Sequence, residues 1–123
     1  MERDNLTSQI IGAAIEVHRY LGPGLLENTY KRSLEHELVL RGLKVKSEFT
    51  VVVNYKNIEV KEGYRIDLLV EETVVLELKS TEKLIDVHRA QILTYLKLSG
   101  KKVGLLINFN VPLLKQGIER FIL

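Results

Sequence analysis

The sequence predicts an α/β (α+β) domain in which helices flank a mixed β-sheet. Three observations lead there. Two stretches of helical periodicity open the chain, several extended segments follow, and a strand, helix, strand order closes on a nearly continuous apolar run. With 123 residues, 46% of them hydrophobic, a single domain over residues 1–123 with one core is expected.

Ile10, Ile11, Ala14, Ile15, Val17, His18 and Leu21 recur at helical spacing, and Asp4 or Asn5 can cap this first helix. Gly22, Pro23 and Gly24 break it. A second helix runs from about Leu25 to Arg41, with Leu26, Tyr30, Leu34 and Leu38 on one stripe and Gly42 at its stop. From Val45 to Tyr55 the pattern is extended; Lys56 and Asn57 turn, and Ile58 onward returns toward Tyr64 with Gly63 as a bend or bulge, running on into the next strand. Tyr64 to Val70 and Val74 to Lys79 flank the polar Glu71, Glu72, Thr73 and read as a hairpin. A helix follows from about Asp86 to Ser99, stopped by Gly100. Val103 to Phe109 is apolar enough to be buried on both faces, and a right-handed crossover sets it parallel to Val74 to Lys79. Pro112 and Gly117 flank a short turn or helix, and Ile118 to Leu123 forms an edge strand.

The hairpin carries the chemistry. With a three-residue loop Val70 pairs with Val74, and counting back sets Asp67 directly opposite Glu77, with Lys79 on the same face as Glu77. Ile66, Leu68, Val70, Leu76 and Leu78 then form the core face. Opposed carboxylates repel unless a cation lies between them. Lys79 can supply it, giving an ordinary cross-strand ion cluster on a solvated face. Alternatively the acids bind Mg²⁺ or Mn²⁺, hard ions that prefer oxygen ligands and keep several waters, and the water so activated attacks a phosphodiester while Lys79 orients it or steadies the developing charge.

Composition removes several classes. There is no cysteine, hence no disulfide and no thiolate or cysteine-ligated metal chemistry, and three scattered histidines make no zinc site. The N-terminal MERDNLTSQI lacks the order of a signal peptide and no apolar run spans a bilayer, so a cytoplasmic protein without a membrane partner is expected. A net charge of +2 does not mark a globally basic nucleic-acid binder, although Arg41, Lys44, Lys46 and Lys97, Lys101, Lys102 form local clusters. GPG lacks the strand and lysine of a phosphate loop, and no serine stands in a nucleophile elbow. Glu27 sits in the first turn of the second helix, where capping and the helix dipole favour an acid, and Tyr30, one turn on, stands where an aromatic more often packs at the core edge. His88, Gln91 and Tyr95 share a face of the third helix near Lys79, where they can meet phosphate or a flipped nucleotide, or serve as satisfied half-buried groups like His18.

GLLENTY, Gly24 to Tyr30, matches a GxxExxY signature, and YRIDLLV, VVLELKS, HRAQILTYLK and GLLINF resemble the rest of that family across nearly the whole chain. The GxxExxY family is assigned to the PD-(D/E)XK nuclease superfamily. The resemblance implies a restriction-endonuclease-like αβββαβ core and, with the opposed acids and lysine, a Mg²⁺- or Mn²⁺-dependent nuclease acting on nucleic acid, with DNA as the leading substrate and RNA left open. It implies Asp67 and Glu77 as metal ligands, Glu27 as a further ligand, and Lys79 as the catalytic lysine. Gln91 and Tyr95 are similar to the QxxxY motif of RecB-type members, which contacts substrate or orders the site; Tyr30 and His88 are placed with them on the substrate side. The superfamily's proline is absent, since Ile66 precedes Asp67. A homodimer can assemble the phosphate-binding surface that one small chain lacks. The alternative is a catalytically inactive nuclease-fold module that binds nucleic acid or protein.

Overall fold

The computed structural model describes residues 3–123, and from residue 5 onward their side chains. Its elements are α1 (Arg3–Leu21), α2 (Glu27–Leu40), β1 (Val45–Thr50), β2 (Val53–Tyr55), β3 (Ile58–Val60), β4 (Arg65–Val70), β5 (Val74–Lys79), α3 (Asp86–Ser99), β6 (Val103–Asn108), a 3₁₀ turn (Leu114–Gly117) and β7 (Ile118–Ile122). Since α1 already runs from Arg3, Asn5 lies inside its first turn rather than capping it, and the side chain of Asp4 is outside the described residues.

Five strands form one sheet in the order β1-β4-β5-β6-β7, and β2 and β3 form a separate two-stranded hairpin. As the apolar run anticipated, β6 is parallel to β5 and wholly buried, while β7 closes the sheet as an antiparallel edge strand. The two long strands expected over Val45 to Tyr55 and Ile58 to Val70 are each broken. Val51 turns into the core and donates its N–H to Tyr64 O at 2.8 Å, clamping the base of the β2–β3 hairpin, whose own residues bury little.

Helices cover both faces of the sheet. On one face α1 and α2 bring Ile10, Ala14, Tyr30, Leu34 and Leu38 onto Leu68, Val70, Leu76, Leu78, Leu105 and Ile107. On the other, α3 packs Ile92, Tyr95 and Leu96 against Leu69, Val75 and Leu106. Gly104 permits this approach: a Cβ there would lie 2.9 Å from Ile92 Cδ1 and 3.3 Å from Leu96 Cδ1, so a side chain would force Ile92 and Leu96 to shift. The face carrying the acids is therefore largely covered by a helix, with Asp67 and Lys79 left partly exposed.

Ile66 was expected beside Leu68 on the α1–α2 side and is found in the α3 cluster instead. Its partner strand does the same, because Val45 packs toward α1 and α2 while Phe49 packs toward α3, although four residues apart they would share a face of a regular strand. The register of β1 on β4 is constant on either side, yet Glu48 and Asp67 are missing from the ladder. Glu48 adopts φ 55°, the left-handed region, and the two strands change face there.

Candidate functional site

The same step disrupts β4 on its other side. The expected loop and register hold from Val70↔Val74 to Leu68↔Leu76, and the ladder then stops one residue pair short of the acids. Beyond it, carboxylates replace main-chain acceptors. Glu77 Oε2 accepts the Asp67 N–H at 2.9 Å, and Asp67 Oδ2 accepts the Leu78 N–H at 2.8 Å. Each acid thus reaches across the gap to the other's strand. Among the described residues, no hydrogen bond reaches Asp67 Oδ1 or Glu77 Oε1. Because no fully buried side-chain oxygen or nitrogen among the described residues lacks a partner, these two oxygens must remain reachable from solvent.

Glu77 is only 3% exposed and Asp67 is half-buried. Burial, then repulsion from Asp67, pushes the Glu77 carboxyl up to about 8 against the favourable bond from Asp67 N–H and the field of Lys79. Burial also raises Asp67, opposed chiefly by its bond from Leu78 and by Lys31 and Lys79. Two desolvated carboxylates this close hold a proton between them at neutral pH unless a cation displaces it.

That cation is not Lys79 by direct contact. Among the described residues Lys79 forms no ion pair with either acid; its Nζ donates to Gln91 Oε1 at 3.4 Å, and Gln91 Nε2 donates to the Tyr95 hydroxyl at 3.4 Å. Both bonds are long and weak, leaving the ammonium free to take a closer acceptor. Tyr95 is buried, and desolvation followed by the charge of Glu77 raises its phenol. The proposed cross-strand ion cluster is therefore not what the side chains make.

From the other side α2 contributes charge. Glu27 is the first residue of α2, is exposed, and has its carboxyl raised mainly by partial desolvation, with Asp67 adding and Lys79 and Lys31 opposing. It lies within the field of the pair but is not gathered with it, for no three acidic or imidazole side chains among the described residues come close enough to hold a metal ion. Lys31, paired with Glu48, and Arg65, 3.9 Å from the same carboxylate, complete the rim. Sequence reasoning passed over these three. Glu27 and Lys31 stand at i and i+4, a spacing that marks one helix face, whereas nothing local announces that Glu48 leaves the strand.

Two expected substrate contacts have other duties. Tyr30 is fully buried, stacked on Phe109 with ring centroids 4.5 Å apart, and its hydroxyl donates to Gly22 O at 2.5 Å while accepting from Leu25 N at 3.1 Å. It holds the GPG turn and cannot reach a substrate. His88 Nδ1 accepts the Ile85 N–H at 3.2 Å, capping α3, with burial, Lys79 and Arg89 lowering its pKa. His18 is likewise buried and donates from Nε2 to Val111 O at 2.8 Å. Gln91 does lie beside Lys79, and Tyr95 reaches the site through Gln91 and the field of Glu77.

The loop after Lys79 is pinned from several directions. Phe109 N donates to Lys79 O, buried Asn108 exchanges bonds with the main chain of Thr81, and Ser80 Oγ donates to Leu25 O at 2.6 Å. The Leu25 segment, held in turn by Tyr30, fixes Glu27 relative to Lys79. Tyr30→Phe is thus expected to cost about 1–3 kcal/mol in a denaturant melt, because Leu25 N and Gly22 O lose their partner while the ring stacking survives. An unchanged midpoint would show the turn to be held without that hydroxyl.

The donor set suits a hard divalent cation: two desolvated carboxylates each keep one oxygen unspent, face a solvent-reachable gap, and lack a contacting cation. A mixed sheet between helices, split between two strands at paired acids with a lysine two residues on, defines a nuclease-type α+β domain. A family model described as the PD-(D/E)XK nuclease superfamily matches residues 4–121, and the chain belongs to that superfamily. No significant match was found among curated proteins or among solved structures. No helix of the described residues is long and apolar enough to cross a membrane.

Proposed function

We propose that this chain is a divalent-metal-dependent nuclease of the GxxExxY branch, hydrolysing phosphodiester bonds of DNA at the gap between β4 and β5. The observation that carries the reading is the pair of desolvated, mutually repelling carboxylates whose free oxygens open on the gap beside an ammonium with only a long bond to Gln91. Asp67 and Glu77 would hold Mg²⁺ or Mn²⁺, with Glu27 at the outer margin. When bound, the ion supplies a more acidic water and neutralises charge on the phosphoryl oxygens. Lys79 exchanges its long bond to Gln91 for the water or the phosphoryl oxygen, so its charge meets the negative charge that grows there. Gln91 and Tyr95 keep that ammonium at the gap before substrate arrives. Lys31 and Arg65 attract the phosphate backbone from the rim, and because the net charge is only +2, a second copy of the chain would extend that surface along a longer substrate.

The test is cleavage of labelled single- and double-stranded DNA and RNA by the purified protein with Mg²⁺ or Mn²⁺, beside Asp67→Ala. Cleavage of DNA that needs the metal and disappears in the variant is the expected result. Equal cleavage by the variant would assign the activity elsewhere. Absence of both cleavage and metal binding in the native protein would leave a nuclease fold used for binding alone.

A further inference from the structure

A groove of about 480 Å³ lies beside the carboxylate gap, between α3 and the segments that frame the β2–β3 hairpin. Val53 comes from β2 and Tyr64 from the link into β4, while Val87, Ala90 and Leu98 line it from α3. Gln91 and Tyr95 belong to both places: they line the groove and also touch the Lys79 end of the site. Through these two side chains the groove adjoins the proposed reacting centre. No charged side chain lines it, so it does not grip phosphate. What it presents is a phenol ring, with Tyr64 45% exposed, among aliphatic walls that include Val87 at 70% exposure.

Resting on the nuclease reading of the adjacent gap, we infer that this groove takes an unpaired nucleobase of the strand being cut, stacked on Tyr64, which makes single-stranded or splayed nucleic acid the substrate class. Base faces in a duplex are covered by their neighbours, so only an unstacked base can offer its face to a side chain. Aromatic stacking of this kind tolerates any base, which gives selectivity for strandedness rather than sequence. The aliphatic walls exclude water from the other face and edges, and Thr94 and Gln91 supply hydrogen-bonding groups for the base edge.

Because the chain has no tryptophan, Tyr64→Trp creates a single fluorescent reporter in the groove. It is titrated in EDTA with a single-stranded DNA oligonucleotide and with the blunt duplex of the same sequence. The single strand is expected to quench the reporter and to bind about tenfold or more tightly than the duplex. By anisotropy with the labelled oligonucleotide, Tyr64→Ala should lose that preference and Tyr64→Phe keep it; the position is exposed, and thermal melts check that both variants fold. No quenching, or an unchanged preference in Tyr64→Ala, overturns the inference. So does quenching by an apolar peptide but not by the oligonucleotide. Metal-dependent cleavage of both substrates at rates indifferent to Tyr64 would remove the groove's role and leave the nuclease reading standing. Quenching by the single strand with no cleavage under any metal would support the groove and sink the nuclease.

Discussion

Glu77→Gln is expected to abolish cleavage and, at the same time, to make the metal-free protein more stable at pH 8. The two effects share one cause. In the folded chain burial and Asp67 push the Glu77 carboxyl up to about 8, from an ordinary value of 4.5. A raised folded pKa means that the folded state holds the proton more tightly than the unfolded chain does. The associated stability is fully present below pH 4.5 and is lost progressively as the pH rises through about 8. By that point the ionised pair costs on the order of a few kcal/mol, a large share of a small domain's margin. Glutamine keeps the acceptor for the Asp67 N–H and cannot ionise, so the variant escapes the loss but can no longer ligate a cation. Thermal melts from pH 5 to 9 should fall for the native protein and stay nearly flat for the variant. At pH 8 Mn²⁺ should raise the native melting temperature and leave the variant's unmoved. A variant less stable than the native protein at pH 8 would mean that Glu77 is held by a favourable partner after all.

What the residues disclosed about this site divides along a physical line. Local periodicity and turn length are short-range properties, so α3, the parallel β6 and the Val70–Val74 register could be read directly, and with them the meeting of Asp67 and Glu77. The gap between their strands could not. It depends on Glu48 adopting a left-handed conformation, on Ile66 and Phe49 both choosing the α3 side, and on carboxylates displacing main-chain acceptors, each a tertiary event without a local signature. Tyr30 was legible in part: its place on the stripe with Leu34 and Leu38 marks a core-edge aromatic rather than a substrate contact, and the fold sends it inward onto Phe109, 79 positions later in the chain. Only Lys31 was missed despite a legible cue, its position one helical turn beyond Glu27.

Lys79→Ala should lower kcat by ~10²–10³-fold while metal binding persists, a separation that no purely structural lysine would produce. The distinction follows from where its ammonium rests. Were Lys79 the counterion that lets Asp67 and Glu77 coexist, its removal would strand two buried charges and destabilise the fold severely. Among the described residues its ammonium donates only to Gln91, at 3.4 Å, and it acts on the acids through space. Removing it takes positive charge away from the pocket that receives the cation, so Mn²⁺ affinity measured by calorimetry should hold or rise slightly. The melting temperature of the metal-free protein should move little. Gln91→Ala, which loosens the lysine without removing its charge, should lower kcat less than Lys79→Ala and leave Mn²⁺ affinity unchanged. Loss of metal binding in Lys79→Ala, or a collapse of its stability, would return Lys79 to the role of a structural counterion and take the catalytic assignment away from it.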